Sequence, residues 1–235
     1  MSEGIKIICV LFIISTVVII ASKFWIWAAA TLFSRRSTSV GIPAQRVSQA
    51  ILSANNVDNI SIEPRLGVLT DRYYPSHGVI QLSEKVYGCT SVMAVAIAAH
   101  EVGHALQHAE GYAGVTASNA VRPLSVLGII GAAIASVIGF CANETQALMI
   151  AAVLILAAIV VRTMLLPVEF DASRRAMAAL EASGKYTAYE LRGAKHMLYA
   201  AAFTYVASLF DVVMKTVLVI MLILLSGKKK DEKRS

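Results

Sequence analysis

The sequence predicts a mainly helical protein that crosses a membrane several times and carries one small α+β domain. Three observations lead there. The chain of 235 residues is 57% hydrophobic and only 15% charged, with a mean hydropathy of +0.67, too apolar for a water-soluble domain. Four stretches reach the roughly 20 largely apolar residues that a bilayer crossing needs. Between the first and second lie about ninety residues of ordinary polarity, enough for a small domain whose core membrane segments help to complete.

The first span runs from Ile5 to about Phe33, interrupted by Lys23 and bearing Trp25 and Trp27, which suit a membrane interface. Its apolar stretch is too long for a secretory signal, and no clean small-residue cleavage site follows Cys9 to Ala21, so it reads as an anchor. Ser34 to Ser39 is a polar linker, Pro43 to Ser53 an amphipathic helix, and Asn55, Asn56, Asp58 and Asn59 mark a turn. Leu66 to Thr70 and Val79 to Leu82 read as two short strands joined through Tyr73, Tyr74, Pro75, Ser76, His77 and Gly78. A helix is expected from about Ser91 to Glu110, stopped by Gly111. The remaining spans fall at Leu124 to Ala142, Ala147 to Leu166 and within Met197 to Leu225, with a turn at Asn143-Glu144-Thr145.

The predicted helix carries His100-Glu101-Val102-Gly103-His104. Four residues is about one helical turn, so the two imidazoles project from one face, and Glu101 is offset enough to reach a water without ligating the metal itself. Catalytic zinc takes three protein ligands, keeps a fourth position open, and lowers the pKa of a water held there to about 7. A neighbouring carboxylate can then move the proton. This is the arrangement of a zincin-like metalloprotease domain; the bland alternative is a buried helix with two satisfied histidines. A strand pair ahead of such a helix suits an extended peptide bound by β-addition.

Leu69-Thr70-Asp71, Val79-Ile80-Gln81-Leu82-Ser83, Ala98 to His108, and Glu169-Phe170-Asp171-Ala172-Ser173-Arg174-Arg175-Ala176 together resemble the YugP-type neutral zinc metallopeptidases over nearly the whole chain. More distantly they resemble the HtpX and Ste24 membrane proteases, which are gluzincins. That resemblance implies one zinc ion on His100, His104 and Glu169, with Glu101 as general base. It also nominates Asp171 as a partner orienting a histidine, although Ser173 stands where the HtpX-like pattern has its aspartate. Two crossings after the domain return the chain to the side of His100 and His104, so Glu169 can reach the metal and Glu144 cannot. Position alone equally allows Glu169 to be a first-turn acid of a helix opened by Pro167; the resemblance favours the ligand.

The expected organisation is therefore a transmembrane anchor (1–33), the zincin-like domain (34–122), a transmembrane hairpin (123–166), a helical segment bearing the third ligand (167–196), a last transmembrane helix (197–226) and a basic tail (227–235).

His108 lies about 12 Å along the helix from His100, too far to share the ion, and reads as a C-terminal cap or an exposed residue. His77 reads as solvated in a hairpin turn, or touching substrate. His196, at the entrance of the last span, is a candidate oxyanion donor. Gly131, Ala135 and Gly139 form a small-residue stripe for close helix packing, and Asp211 and Lys215 should pair within the last span.

The net charge of +6 comes from residues flanking spans, with no nucleic-acid motif beside them, so the partners expected are the lipid bilayer and peptide or protein substrates, including membrane proteins. Cys9, Cys89 and Cys141 form no disulfide or metal framework. The function that follows is a zinc endopeptidase of the plasma membrane. Its rivals are a non-catalytic zinc-binding scaffold or chaperone, for which Glu101 would have no use, and a transporter built on Asp211 and Lys215, which lacks an internal repeat. Nine Lys and Arg residues near the spans on the domain side (Arg35, Arg36, Arg46, Arg122, Arg162, Arg174, Arg175, Arg192, Lys195) outnumber six on the other (Lys6, Lys228, Lys229, Lys230, Lys233, Arg234), which leans towards a cytoplasmic active site.

Overall fold

The computed structural model describes residues 3–68, 70–142 and 144–232. Among the described residues six helices dominate: α1 (Glu3–Ser34), α2 (Ala44–Ala54), α3 (Val92–Ala109), α4 (Ala113–Cys141), α5 (Thr145–Ala182) and α6 (Ala188–Glu232). Three short strands, β1 (Ser61–Arg65), β2 (Arg72–Tyr74) and β3 (Val79–Ser83), complete the fold. Four helices are long and apolar enough to cross a membrane, over Lys6–Ser34, Pro123–Cys141, Thr145–Ala182 and Ala188–Leu224. This is a helical membrane protein with a small α+β domain.

The chain divides into two compact units, and each long helix contributes to both. One unit comprises Met1–Ser22, Ser118–Leu165 and Thr204–Ser235. Its interior is lined by small and branched residues, Ala132, Ala151, Ile155, Ala158, Val212 and Val219, while Val137, Val153 and Leu156 face outward, as expected where the surroundings are lipid. The glycine stripe packs α4 on α5: a Cβ at Gly139 would lie 2.6 Å from Leu148 Cγ. Lys215 donates to Asp211 at 2.6 Å, the pairing that a charge in a span requires.

The other unit comprises Lys23–Ala117 and Leu166–Phe203. Its sheet has the order β1-β3-β2, with β1 parallel and β2 antiparallel to the central β3. Ile80 and Leu82 of β3 are fully buried, with β3 packed on α3, and Pro64 sits on edge strand β1, where a missing N–H is tolerated. The expected strand at Leu66 to Thr70 does not form. Leu66 and Val68 are exposed, Gly67 has φ +106°, and residues 66–68 form a bend after β1, while Leu69 lies outside the described residues. Leu66 and Val68 are left without burial, and alternation without burial does not hold a strand. Asp71 ends the bend by accepting from Ser83 N–H at 2.7 Å and Ser83 Oγ–H at 3.0 Å.

Ser91 caps α3 by accepting from Ala94 N–H at 3.2 Å, and Gly111, with φ +72°, closes its C-terminal end; both limits agree with the sequence reading. The reading of Pro167 does not hold. Pro167 lies inside α5, which continues to Ala182, so no new helix begins there and Glu169 is no first-turn acid. Val168, Ala172, Ala176 and Leu180 recur every four residues and are all buried. That packed stripe outweighs the ~3 kcal/mol that an interior proline costs. The stripe meets α3 at Gly103, where an added Cβ would collide with the Ala172 carbonyl oxygen and lie 3.0 Å from its carbon.

The approach of α3 to α5 thus requires a residue without a side chain at 103. Gly103→Ala is expected to lower stability by about 1–3 kcal/mol, the range of overpacked cores. Thermal unfolding of the detergent-solubilised protein reads it; an unchanged midpoint would mean that the two helices do not pack this closely.

Candidate metal centre

His100 and His104 lie one turn apart on α3 with their rings 4.7 Å apart. Glu169 comes to them from α5. Its Oε2 is 3.3 Å from His100 Nε2 and 3.7 Å from His104 Nε2, and one ligand atom from each residue falls within 4.8 Å of the others. Among the described residues this is the one such group of three or more His, Cys, Asp or Glu side chains. Glu169 is 2% exposed, whereas the imidazoles are 17% and 13% exposed. The carboxylate closes the back of the site and the histidines form its open side.

These residues fit zinc. Ligands at zinc–nitrogen and zinc–oxygen distances of about 2.0–2.1 Å in tetrahedral array stand about 3.3 Å apart, close to the separations observed. Two imidazoles and one carboxylate make a His₂Glu catalytic donor set, which keeps a fourth position for water or substrate. A cation bound here would also offset the charge of a carboxylate held away from water.

Glu101, one residue beyond the first histidine, is buried at 8% exposure. Burial raises its pKa; the imidazoles of His104 and His100 pull it down, and Glu169 and Asp71 push it up again. Burial by itself would lower the pKa of His104, but the neighbouring carboxylates of Glu169 and Glu101 prevail and raise it. A carboxyl with a raised pKa beside two imidazoles is a group able to take up and release a proton.

The surroundings differ from the sequence reading in instructive ways. Asp171 bonds to no histidine in this structure: it accepts from Gln107 Nε2 at 2.9 Å, from Arg175 Nε at 2.6 Å and from Arg174. The histidines are met by two residues whose roles the sequence reading missed. Ser173 Oγ lies 3.2 Å from His100 Nδ1, and Gln107 Oε1 lies 3.1 Å from His104 Nδ1. The signal was helical spacing. Gln107 is three residues after His104, and Ser173 four after Glu169, so each shares a face with a candidate ligand.

The remaining histidines do other work. His108 is neither cap nor exposed: its Nδ1 bonds the Tyr73 hydroxyl at 2.8 Å, pinning β2 to α3, and Glu110 takes the cap position. His77 is exposed and bonds Ser76 at 2.9 Å. The candidate oxyanion role of His196 is not supported, because its Nε2 accepts from Trp25 Nε1 at 3.1 Å and its ring packs against Phe33 of α1.

Two histidines and a glutamate converge on one point in a helical membrane protein, the donor set of a zinc peptidase, and sequence comparison points to the same class. Residues 8–224 match the family described as "Putative neutral zinc metallopeptidase", and the chain belongs to that family. The "Putative membrane protease YugP" of Bacillus subtilis (strain 168) is 33% identical over 202 residues, covering 84% of this chain and 90% of that protein. No solved structure matches.

If Glu169 is one of three protein ligands, Glu169→Ala lowers zinc occupancy as far as His100→Ala or His104→Ala does. Asp171→Ala, one residue further from the metal, costs roughly 10- to 100-fold in affinity. Metal analysis of the purified variants distinguishes them; an empty site in Asp171→Ala beside a filled one in Glu169→Ala would reassign the third ligand.

Proposed function

We propose that the protein is a membrane-bound zinc endopeptidase in which His100, His104 and Glu169 hold a single zinc ion and Glu101 is the general base. The observation that carries this reading is the convergence of three donor side chains from two helices with a buried carboxylate one residue away. Zinc bound there supplies Lewis acidity, polarising the scissile carbonyl and lowering the pKa of a water to about 7.

The chain's own residues do the rest. Glu101 accepts a proton from the attacking water as the water oxygen bonds to the carbonyl carbon, then delivers that proton to the departing amine nitrogen as the C–N bond breaks. Its desolvated position suits both steps, because burial weakens its preference for the charged form. The partly exposed imidazoles leave the face through which a peptide approaches, while Glu169 excludes water from the back. Four spans keep the enzyme at the bilayer, which favours membrane proteins and their exposed tails as substrates.

Glu101→Gln keeps the size of the side chain but cannot take up the proton. It is expected to abolish casein cleavage by several orders of magnitude while zinc content stays at the wild-type level. Wild-type activity should disappear with a chelator and return with zinc. Substantial cleavage by the metal-loaded variant would remove Glu101 from the mechanism.

The excess of positive charge on the domain side leads us to orient the site towards the cytoplasm. The exposed turn residue Ser76 is a suitable reporter. A cysteine introduced by Ser76→Cys should resist a membrane-impermeant thiol reagent in intact cells and react once the membrane is opened; labelling of intact cells would place the domain outside.

A further inference from the structure

Gln107 is fully buried, and every polar atom of its amide is engaged. Its Nε2 lies 2.9 Å from the Val168 carbonyl oxygen and 2.9 Å from Asp171 Oδ2. A backbone carbonyl and an ionised carboxylate can only accept, so the NH₂ group must face them. Turning the amide over would set its oxygen against both, leaving two buried acceptors opposed to a third. Asp171 is itself held in place by Arg174 and Arg175, and Arg175 is braced by Glu110 at 2.5 Å. The orientation of the Gln107 amide is therefore locked from behind.

That lock determines the state of His104. Gln107 Oε1 is an acceptor only, and it lies 3.1 Å from His104 Nδ1, so Nδ1 must carry the hydrogen. In a neutral imidazole Nε2 then bears the lone pair, and His104 Nε2 is the atom 3.7 Å from Glu169 Oε2. The other tautomer would put the hydrogen on Nε2, block the metal position and leave Gln107 Oε1 facing a second lone pair. His100 has no such constraint, because the Ser173 hydroxyl can donate or accept.

We infer that Gln107 is the positioning residue that commits His104 to metal ligation, and that Asp171 acts on the site through Gln107 by fixing which way its amide faces. This rests on the zinc reading of His100, His104 and Glu169 and adds to it the residue that prepares one ligand before the metal arrives. It also accounts for a glutamine without solvent contact in the last turn of a largely buried helix, where leucine would pack at lower cost.

The test uses the full-length protein in detergent, with Gln107→Leu and Gln107→Glu compared with wild type. Two readouts are taken: zinc affinity by competition with a chromophoric chelator, and the tautomer of His104 in zinc-free protein at alkaline pH from ¹⁵N-histidine NMR. Wild type should show His104 protonated at Nδ1. Gln107→Leu removes the acceptor, so zinc affinity should fall roughly 10- to 100-fold and the Nε2–H tautomer should appear. Gln107→Glu keeps an acceptor and should hold zinc well above the leucine variant, although a carboxylate beside Asp171 makes it the less stable fold. A packing role alone would give the opposite order, with affinity following stability. Wild-type His104 protonated at Nε2, or a leucine variant with unchanged zinc affinity, overturns the inference; the first holds even if a variant does not fold. A protein that gives the expected tautomer and order of affinities but cleaves no peptide refutes the protease reading and leaves this role of Gln107 standing.

Discussion

The site depends on how closely α3 and α5 approach. A glycine at 103 lets the α5 backbone at Ala172 lie against α3 with no side chain between them. Along α3, His100 and His104 flank that contact; along α5, Glu169 and Ser173 do. Because residues three and four apart share a helix face, one backbone contact aligns the candidate ligand faces of both helices. Shifting either helix outward by a methyl group would open separations of 3.3 and 3.7 Å that zinc requires to be tight.

Closeness brings an electrostatic cost that the site's chemistry has to offset. Glu169, Gln107 and Glu101 all lie in the interior, where a polar group without a partner is expensive. Gln107 meets the requirement with neutral hydrogen bonds and by linking to Asp171 and its two arginines, which lie nearer to solvent. Glu169 lies against both imidazoles, 3.3 Å from His100 Nε2 and 3.7 Å from His104 Nε2, where a bound cation would also offset its charge.

Much of this was legible in the sequence. Hydropathy marked all four spans because a bilayer leaves few alternatives to a long apolar helix, and His100-Glu101-Val102-Gly103-His104 marked α3 because one-turn spacing of two histidines is a local property. Ser91 and Gly111 bounded that helix for the same local reason. What failed was non-local. Pro167 signalled a helix start, but packing of Val168, Ala172, Ala176 and Leu180 carried α5 through it. The apolar run at Leu66 to Thr70 signalled a strand, but Leu66 and Val68 stayed exposed. Glu169 was placed beside the histidines only with the help of family resemblance, and Asp171, nominated to orient a histidine, instead bonds Gln107, which contacts His104, because which residue of one helix meets which of another is decided by the crossing and not by either sequence alone.

The central claim, that α3 and α5 bring two imidazoles and one carboxylate onto a single zinc ion, is tested most directly by X-ray absorption at the zinc edge on the purified full-length protein. The account predicts about one zinc per chain with a first shell of nitrogen and oxygen at about 2.0–2.1 Å, two of its members showing the outer-shell scattering of imidazole, and no sulfur. A sulfur shell at about 2.3 Å, which would bring in Cys9, Cys89 or Cys141, or a zinc bound without imidazole, would contradict it.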